Sequence, residues 1–387
     1  MRVRTASRTA VQLAAVVTLT AATVGAAGAT GDELDGTRPA RHATFTTVFA
    51  PTLGLEGLTG DNRGNLYSAA RGGDPCPVYR VPAAGGAAVV VGTITAPCGP
   101  AGLTFGPDGR LFIADSGRVV VLRPDAANPP VAAVFAAGVP GANGLAFDRR
   151  GTLWVSDGTT GQGRVWRVGP DGAPSEAFRV QPMVNEVNLV NGVGGVGRDP
   201  RSAPPATVTV TPNGRAAANT EGSQHLVANG LAFGRDGTLF VADTARGAVW
   251  RVTLDGRGRV RSDVGCDTTF TANTLCLDNV LVAHPYLEGL DGIVVDRSGT
   301  IWGTSNERNA VVTVSRSGRV TEFFRNAADP TTRLRNNGPM EFPTTPFLSG
   351  NRLCLTHSDG SRRDNFPNTG GEVGPQVPAR AKISCLR

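Results

Sequence analysis

Five copies of one pattern recur along the chain, and in each the first residue is the one whose type could do chemistry. They begin Glu56-Gly-Leu, Ala101-Gly-Leu, Asn143-Gly-Leu, Asn229-Gly-Leu and Asp291-Gly-Ile. The second residue is always Gly, the third always aliphatic, the ninth again Gly and the eleventh again aliphatic, whereas the first varies among Glu, Ala, Asn, Asn and Asp. Glu56, Asn143, Asn229 and Asp291 offer two carboxylates and two amide carbonyls. Such an all-oxygen set suits a hard divalent cation. Two negative charges would balance that ion, and without it they would repel each other. Asn-Gly is by itself a hairpin signal. Here, however, each copy has its own turn a few residues downstream, so Asn143 and Asn229 precede a strand instead.

Residues this far apart in sequence meet only if the elements carrying them are repeated around a centre. Each copy reads as a short inner strand, a turn such as Pro107-Asp-Gly or Asp148-Arg-Arg-Gly, and a second strand such as Thr152-Leu-Trp-Val-Ser. A third strand follows (Arg164-Val-Trp-Arg-Val, Ala248-Val-Trp-Arg-Val, Ala310-Val-Val-Thr-Val), then a fourth (Glu176-Ala-Phe-Arg-Val, Val320-Thr-Glu-Phe-Phe). Four antiparallel strands per repeat make a propeller blade, and the first three copies are spaced at the ~40–45 residues of one blade. A degenerate sixth copy starts at Thr345. Ala381–Leu386 supplies its third strand, and the strand-like Ala43–Phe49 is left to supply its fourth. The expectation is an all-β, six-bladed β-propeller over 43–387, with the ring closed by the N-terminal strand, which removes an exposed sheet edge. Segments 181–227 and 265–289 read as insertions between blades, placed to rim the mouth where the variable column lies.

Composition agrees. The chain has 387 residues, 51 Gly, 27 Pro and only 6% aromatics, as many short strands and tight turns require. Its +6 charge comes almost wholly from dispersed arginine, since Lys382 is the only lysine, so nothing resembles the clustered basic and aromatic footprint of a nucleic-acid binder. Arg2, Arg4 and Arg8 precede a short apolar run, Ala10–Ala22, and Ala27-Gly-Ala is a small-residue cleavage site. Residues 1–29 therefore read as a secretory signal peptide and 30–42 as a flexible N-terminal segment, with no stable membrane span after cleavage. Export makes the six cysteines a disulfide framework, with spacings that suggest Cys76–Cys98, Cys266–Cys276 and Cys354–Cys385. No Cys-x-x-Cys metal pattern is present. The tryptophans Trp154, Trp166, Trp250 and Trp302 read as packing between blades. Asp115, Asp157 and Asp243 read as strand-end acceptors of backbone hydrogen bonds, a place that His357 takes in the last copy. His225 and His284 stand just before Asn229 and Asp291 and are secondary candidates for acid–base work.

The series Glu56-Gly, Asn143-Gly, Asn229-Gly-Leu, Asp291-Gly, with Gly-x-Leu-Trp/Phe second strands, resembles the SMP-30/gluconolactonase/LRE-like family of six-bladed propellers over about residues 50–325. More distantly it is similar to the calcium-dependent paraoxonases and phosphotriesterases. The resemblance implies that Glu56, Asn143, Asn229 and Asp291 hold calcium or another divalent cation, which polarises an ester or lactone carbonyl while a carboxylate assists water. Asp291 falls at the position of the family's general base. The implied protein is a secreted, monomeric hydrolase of a small-molecule lactone or ester. Beside Ala101 the family's substrate-contacting residues have no counterpart. NHL-type propellers share much of the same motif, so the alternative is a non-catalytic NHL-like binding propeller with a structural metal.

Overall fold

In the computed structural model, described residues are 34, 36–37, 39–40, 43–160, 162–180, 228–261, 275, 279–360, 363–366 and 381–386. The signal-peptide reading, most of 30–42, the insertion 181–227, His225 and the Cys266–Cys276 pairing lie outside them. So do 265–274 and 276–278 of the second insertion. Leu34–Arg387 forms one compact unit, and it is an all-β propeller.

In chain order, β1 (Phe45–Phe49) is followed by β2 (Gly54–Leu55), β3 (Thr59–Gly60), β4 (Leu66–Arg71), β5 (Cys76–Val81) and β6 (Val89–Ile94). Next come β7 (Pro100–Phe105), β8 (Leu111–Leu122), β9 (Ala133–Phe147), β10 (Leu153–Asp157), β11 (Arg164–Val168) and β12 (Pro174–Arg179). β13 (Leu231–Phe233), β14 (Leu239–Asp243), β15 (Ala248–Leu254), β16 (Val260–Arg261) and β17 (Val280–Ala283) follow. The last are β18 (Leu290–Val295), β19 (Ile301–Ser305), β20 (Ala310–Val314), β21 (Val320–Arg325), β22 (Pro343–Ser349), β23 (Arg352–His357) and β24 (Lys382–Leu386).

These strands make five hydrogen-bonded sheets, not the six separate four-stranded ones that the repeat predicts. One sheet, β7 to β12, has six strands and carries the copies at both Ala101 and Asn143. The reason is local. β9 spans 15 residues and serves both as the last strand of one copy and the first of the next, because so few residues separate Ala133 from Asn143. β8 likewise runs 12 residues through Ser116, whose φ of 59° bends the chain without ending the ladder. In the final sheet the order is β1-β24-β23-β22. The strand near the start of the described chain pairs antiparallel with the last one, Thr46 opposite Cys385. Cys354 faces Cys385 across β23 and β24, and the two are disulfide-bonded, as are Cys76 and Cys98.

The second expected insertion is partly a sheet element. Val280–Ala283 forms β17, which pairs with β15 with Val249 opposite Val282, so this stretch does not rim a mouth. A 3-10 turn, Pro285–Leu287, then leads to β18.

The repeat's fixed positions have physical causes. The ninth residue of each copy, Gly64, Gly109, Gly151, Gly237 or Gly299, sits at φ between 77° and 87°, where a side chain is strained. Where the sixth residue is Asp it organises the turn. Asp148 Oδ1 accepts the backbone N–H of Arg150 and Thr152, and Oδ2 accepts Trp154 Nε1–H at 3.1 Å; Asp296 repeats this with Trp302 at 2.9 Å. That bond lets the indole be buried with its N–H satisfied. Trp154, Trp250 and Trp302 are fully buried between sheets, while Trp166 is only half-buried. Asp115, Asp157 and Asp243 each accept a backbone N–H at a strand end, from Gly99, Thr160 and Arg246.

Candidate functional site

The second residue of each copy is Gly because the neighbouring copy's backbone occupies the place of its side chain. A Cβ added to Gly102 would lie 2.5 Å from the carbonyl oxygen of Asn143. One on Gly230 would lie 2.6 Å from that of Asp291, and one on Gly292 2.6 Å from that of Thr344. Gly57 and Gly144 face the carbonyls of Ala101 and Asn229 in the same way. Thr344 Oγ1 then donates to the carbonyl of Glu56 at 2.6 Å. The variable column is thus a connected series in space: Glu56, Ala101, Asn143, Asn229, Asp291, Thr344. The sixth member lies one residue earlier than the sequence copy begins, because β22 and β23 pair Leu348 with Leu353 across a shorter turn.

Buried hydroxyls tie this ring of backbone together. Ser156 Oγ accepts the Gly144 N–H at 2.7 Å and donates to the Asn229 carbonyl. Thr304 Oγ1 donates to the Thr344 carbonyl at 2.7 Å, Thr244 Oγ1 to that of Leu290 at 2.7 Å, and Thr356 Oγ1 to that of Glu56 at 2.6 Å. The inner strands of all five sheets line one cavity of about 310 Å³. Its wall is apolar along Leu103, Leu145, Leu231, Ile293 and Phe347, and Asn143, Asn229 and Asp291 line it beside Thr59, Thr104 and Thr345.

Of the four expected ligands, Asn143, Asn229 and Asp291 are buried at this cavity, with Asp291 only 4% exposed. Glu56 is not among the cavity residues, but its carboxylate is close enough to act on Asp291 electrostatically. Burial in the protein holds the Asp291 carboxyl well above its ordinary range, and the Glu56 charge pushes it further the same way. Bonds from Asn306 and Asn229 and the charge of Arg71 pull it back. Ala101 contributes no donor.

Sequence reasoning missed a second column, the residue just past the second strand's strand-end position. It faces the first column within each copy. Arg71 Nη1 lies 2.7 Å from Glu56 Oε2, Thr244 Oγ1 accepts Asn229 Nδ2–H at 3.1 Å, and Asn306 Nδ2–H donates to Asp291 Oδ2 at 2.8 Å. In the Asn143 copy the equivalent residue is Gly158, where any Cβ would run into the Asn143 amide. The signal was present in the sequence: aligned on the second strand, these positions read Arg, Ser, Gly, Thr and Asn.

Of the two histidine candidates, His284 is described and serves the fold, as does His357 in its expected strand-end place. His284 Nδ1 accepts the Tyr286 N–H at 3.0 Å and caps the 3-10 turn; burial and Arg308 lower its basicity. His357 is fully buried, with Nδ1 accepting the Glu341 N–H at 3.2 Å and Nε2 2.7 Å from Ser384 Oγ. Among the described residues no group of three or more His, Cys, Asp or Glu gathers as a metal cluster, so any cation here relies on amide oxygens as well. No helix among them is long and apolar enough to cross a membrane.

Residues 187–334 match the family model of the SMP-30/Gluconolactonase/LRE-like region, so the family resemblance carried by the repeat column is upheld. The matched stretch includes Asn229 and Asp291; Glu56 and Asn143 precede it. Three solved structures are similar in fold. A calcium-binding protein, regucalcin, from Agrobacterium tumefaciens superposes with a TM-score of 0.54 at 17% identity over 88% of this chain and 93% of its own. A gluconolactonase from Xanthomonas campestris gives 0.53 at 16% over 89% and 90%. The PQQ-bound aldose sugar dehydrogenase of Streptomyces coelicolor gives 0.52 at 14% over 90% and 100%. Identities this low show the fold and leave the activity to the site. No curated protein matches the chain by sequence.

Proposed function

We propose that this chain, which carries an SMP-30/gluconolactonase/LRE-like region, is a secreted hydrolase of a small-molecule lactone or related ester that works with a divalent cation, calcium in the first instance. The observation that carries the reading is the convergence of one column: Asn143, Asn229 and Asp291 line a single cavity, and Glu56 acts electrostatically on Asp291.

The donor set fits such an ion. Two carboxylates and two amide oxygens match the hard-oxygen preference of calcium, and a buried Asp291 destabilised by Glu56 is the electrostatic condition that a cation relieves. Glu56, Asn143, Asn229 and Asp291 would hold it, and bound there it would supply Lewis-acid polarisation of the substrate carbonyl. The chain's own part is positioning. Asn306 and Thr244 fix Asp291 and Asn229, and Asp291 takes the proton of the attacking water.

The same reading takes the six-stranded sheet as two blades that share β9, and the β1–β24 pairing as the clasp of a six-bladed, monomeric ring. It is supported by the unbroken series of column contacts from Glu56 round to Thr344 and back to Glu56. The two disulfides support export.

The test is a calcium titration of purified protein together with a lactone screen, with and without chelator. Asp291→Asn should lower kcat by about 100-fold or more, the usual worth of a general base. Calcium binding without turnover of any lactone or ester, with Asp291→Asn changing only the melting temperature, would sink the enzyme reading.

A further inference from the structure

We propose that Arg71 is a tethered counter-ion that competes with the divalent cation for Glu56 and, once displaced, receives an anionic group of the substrate. The inference rests on the cation site of the preceding section. Arg71 closes β4, and its guanidinium is held at two points. Nη1 lies 2.7 Å from Glu56 Oε2, and Nε–H donates to the Pro100 carbonyl at 2.6 Å. Pro100 immediately precedes Ala101, the column member without a polar side chain. The guanidinium therefore reaches from the first copy towards the one gap in the donor column and brings a positive charge there.

The charges decide the consequence. Glu56 and Asp291 contribute two negatives and Arg71 one positive, and that positive charge also favours ionised Asp291. A divalent ion entering this set meets Arg71 as a like charge and a rival for the same carboxylate. The two occupants differ in mobility. Glu56 is 14% exposed, whereas the Arg71 side chain is 39% exposed and can swing outward. Released from Glu56, a planar guanidinium beside the mouth is suited to bidentate recognition of a carboxylate. Cation and anion binding are then coupled with the same sign, and the coupling is reciprocal: each makes the other tighter.

The experiment reads equilibrium binding. Calcium is titrated by calorimetry into wild type, Arg71→Gln and Arg71→Lys, in sodium chloride and again in sodium acetate of equal ionic strength. Arg71→Gln should bind calcium at least about fivefold more tightly than wild type, the low end of typical coupling between linked sites. Arg71→Lys keeps the charge and should stay nearer to wild type, which separates competition from loosening of the Pro100 contact. Acetate should tighten calcium binding by wild type relative to Arg71→Gln. Equal or weaker calcium binding by Arg71→Gln, or an acetate effect of the same size in both, would overturn the proposal while leaving the cation site standing. If neither protein binds calcium, the cation site itself fails and takes the proposal with it.

Discussion

Replacing Gly230 by Ala tests the packing that makes the column converge. A Cβ there would lie 2.6 Å from the Asp291 carbonyl oxygen, 2.7 Å from the Ile293 nitrogen and 2.8 Å from the Gly292 Cα. All three are backbone atoms of the adjoining inner strand, and Gly230 N–H already donates to that same carbonyl at 3.0 Å. No side chain can rotate away, so the two strands must part by roughly 0.7 Å to restore a normal C···O contact of about 3.3 Å. Overpacking of this kind costs about 1–3 kcal/mol. Against it stands the smaller entropy of an unfolded Ala, worth about 0.4–1 kcal/mol. The net expectation is a loss of about 1–2 kcal/mol. Urea unfolding followed by tryptophan fluorescence measures it. The control is Gly256→Ala, where the added Cβ meets nothing within 4 Å and φ is ordinary, so stability should hold or rise slightly. Because the displaced strand carries Asp291, calcium affinity should fall in Gly230→Ala and not in Gly256→Ala. A Gly230→Ala protein as stable as wild type would refute the argument that close backbone approach, and not turn geometry, fixes the second residue of the repeat.

His357 gives a pH signature. Burial, and then the charge of Lys382, push it well below its ordinary range, so the fold keeps it neutral while the unfolded chain protonates it below about pH 6.5. The neutral form is required, since Nδ1 accepts the Glu341 N–H. Its contribution is full above that pH and is lost on acidification at up to about 1.4 kcal/mol per pH unit. Denaturant melts at pH 7.0 and 5.5 should show a smaller difference for His357→Gln than for wild type. Lys382 and Glu341 form an ion pair at 2.9 Å with both side chains buried. Lys382→Met should cost about 3–5 kcal/mol by leaving Glu341 without its counter-charge, and Lys382→Met with Glu341→Leu should recover most of it in chemical denaturation. Removing Cys354–Cys385, whose residues are separated by 31 positions, by Cys354→Ser with Cys385→Ser should cost about 3 kcal/mol, read as a lower urea midpoint under non-reducing conditions.

Much of this was legible before any coordinates. The turn glycines, the strand alternation and the Cys354–Cys385 pairing follow from local rules: positive φ, period two, and cross-strand neighbours. Local rules also misled. They gave six equal sheets, where short connections fused two copies through β9. They placed 280–283 in an insertion, where β17 pairs with β15, and they gave His284 a secondary chemical part, where it caps a turn.

The column itself was readable because a repeat exposes its own exception: Glu56, Asn143, Asn229 and Asp291 differ in a place where everything around them is constant. Only the tertiary structure decided what faces them. That Arg71 sits on Glu56, Thr244 on Asn229 and Asn306 on Asp291 depends on where the chain leaves each second strand beside its first, and that Thr344 takes the sixth place depends on one residue of turn length. Periodicity is a property of the chain, whereas the partner of a side chain is set by which strands the fold brings side by side.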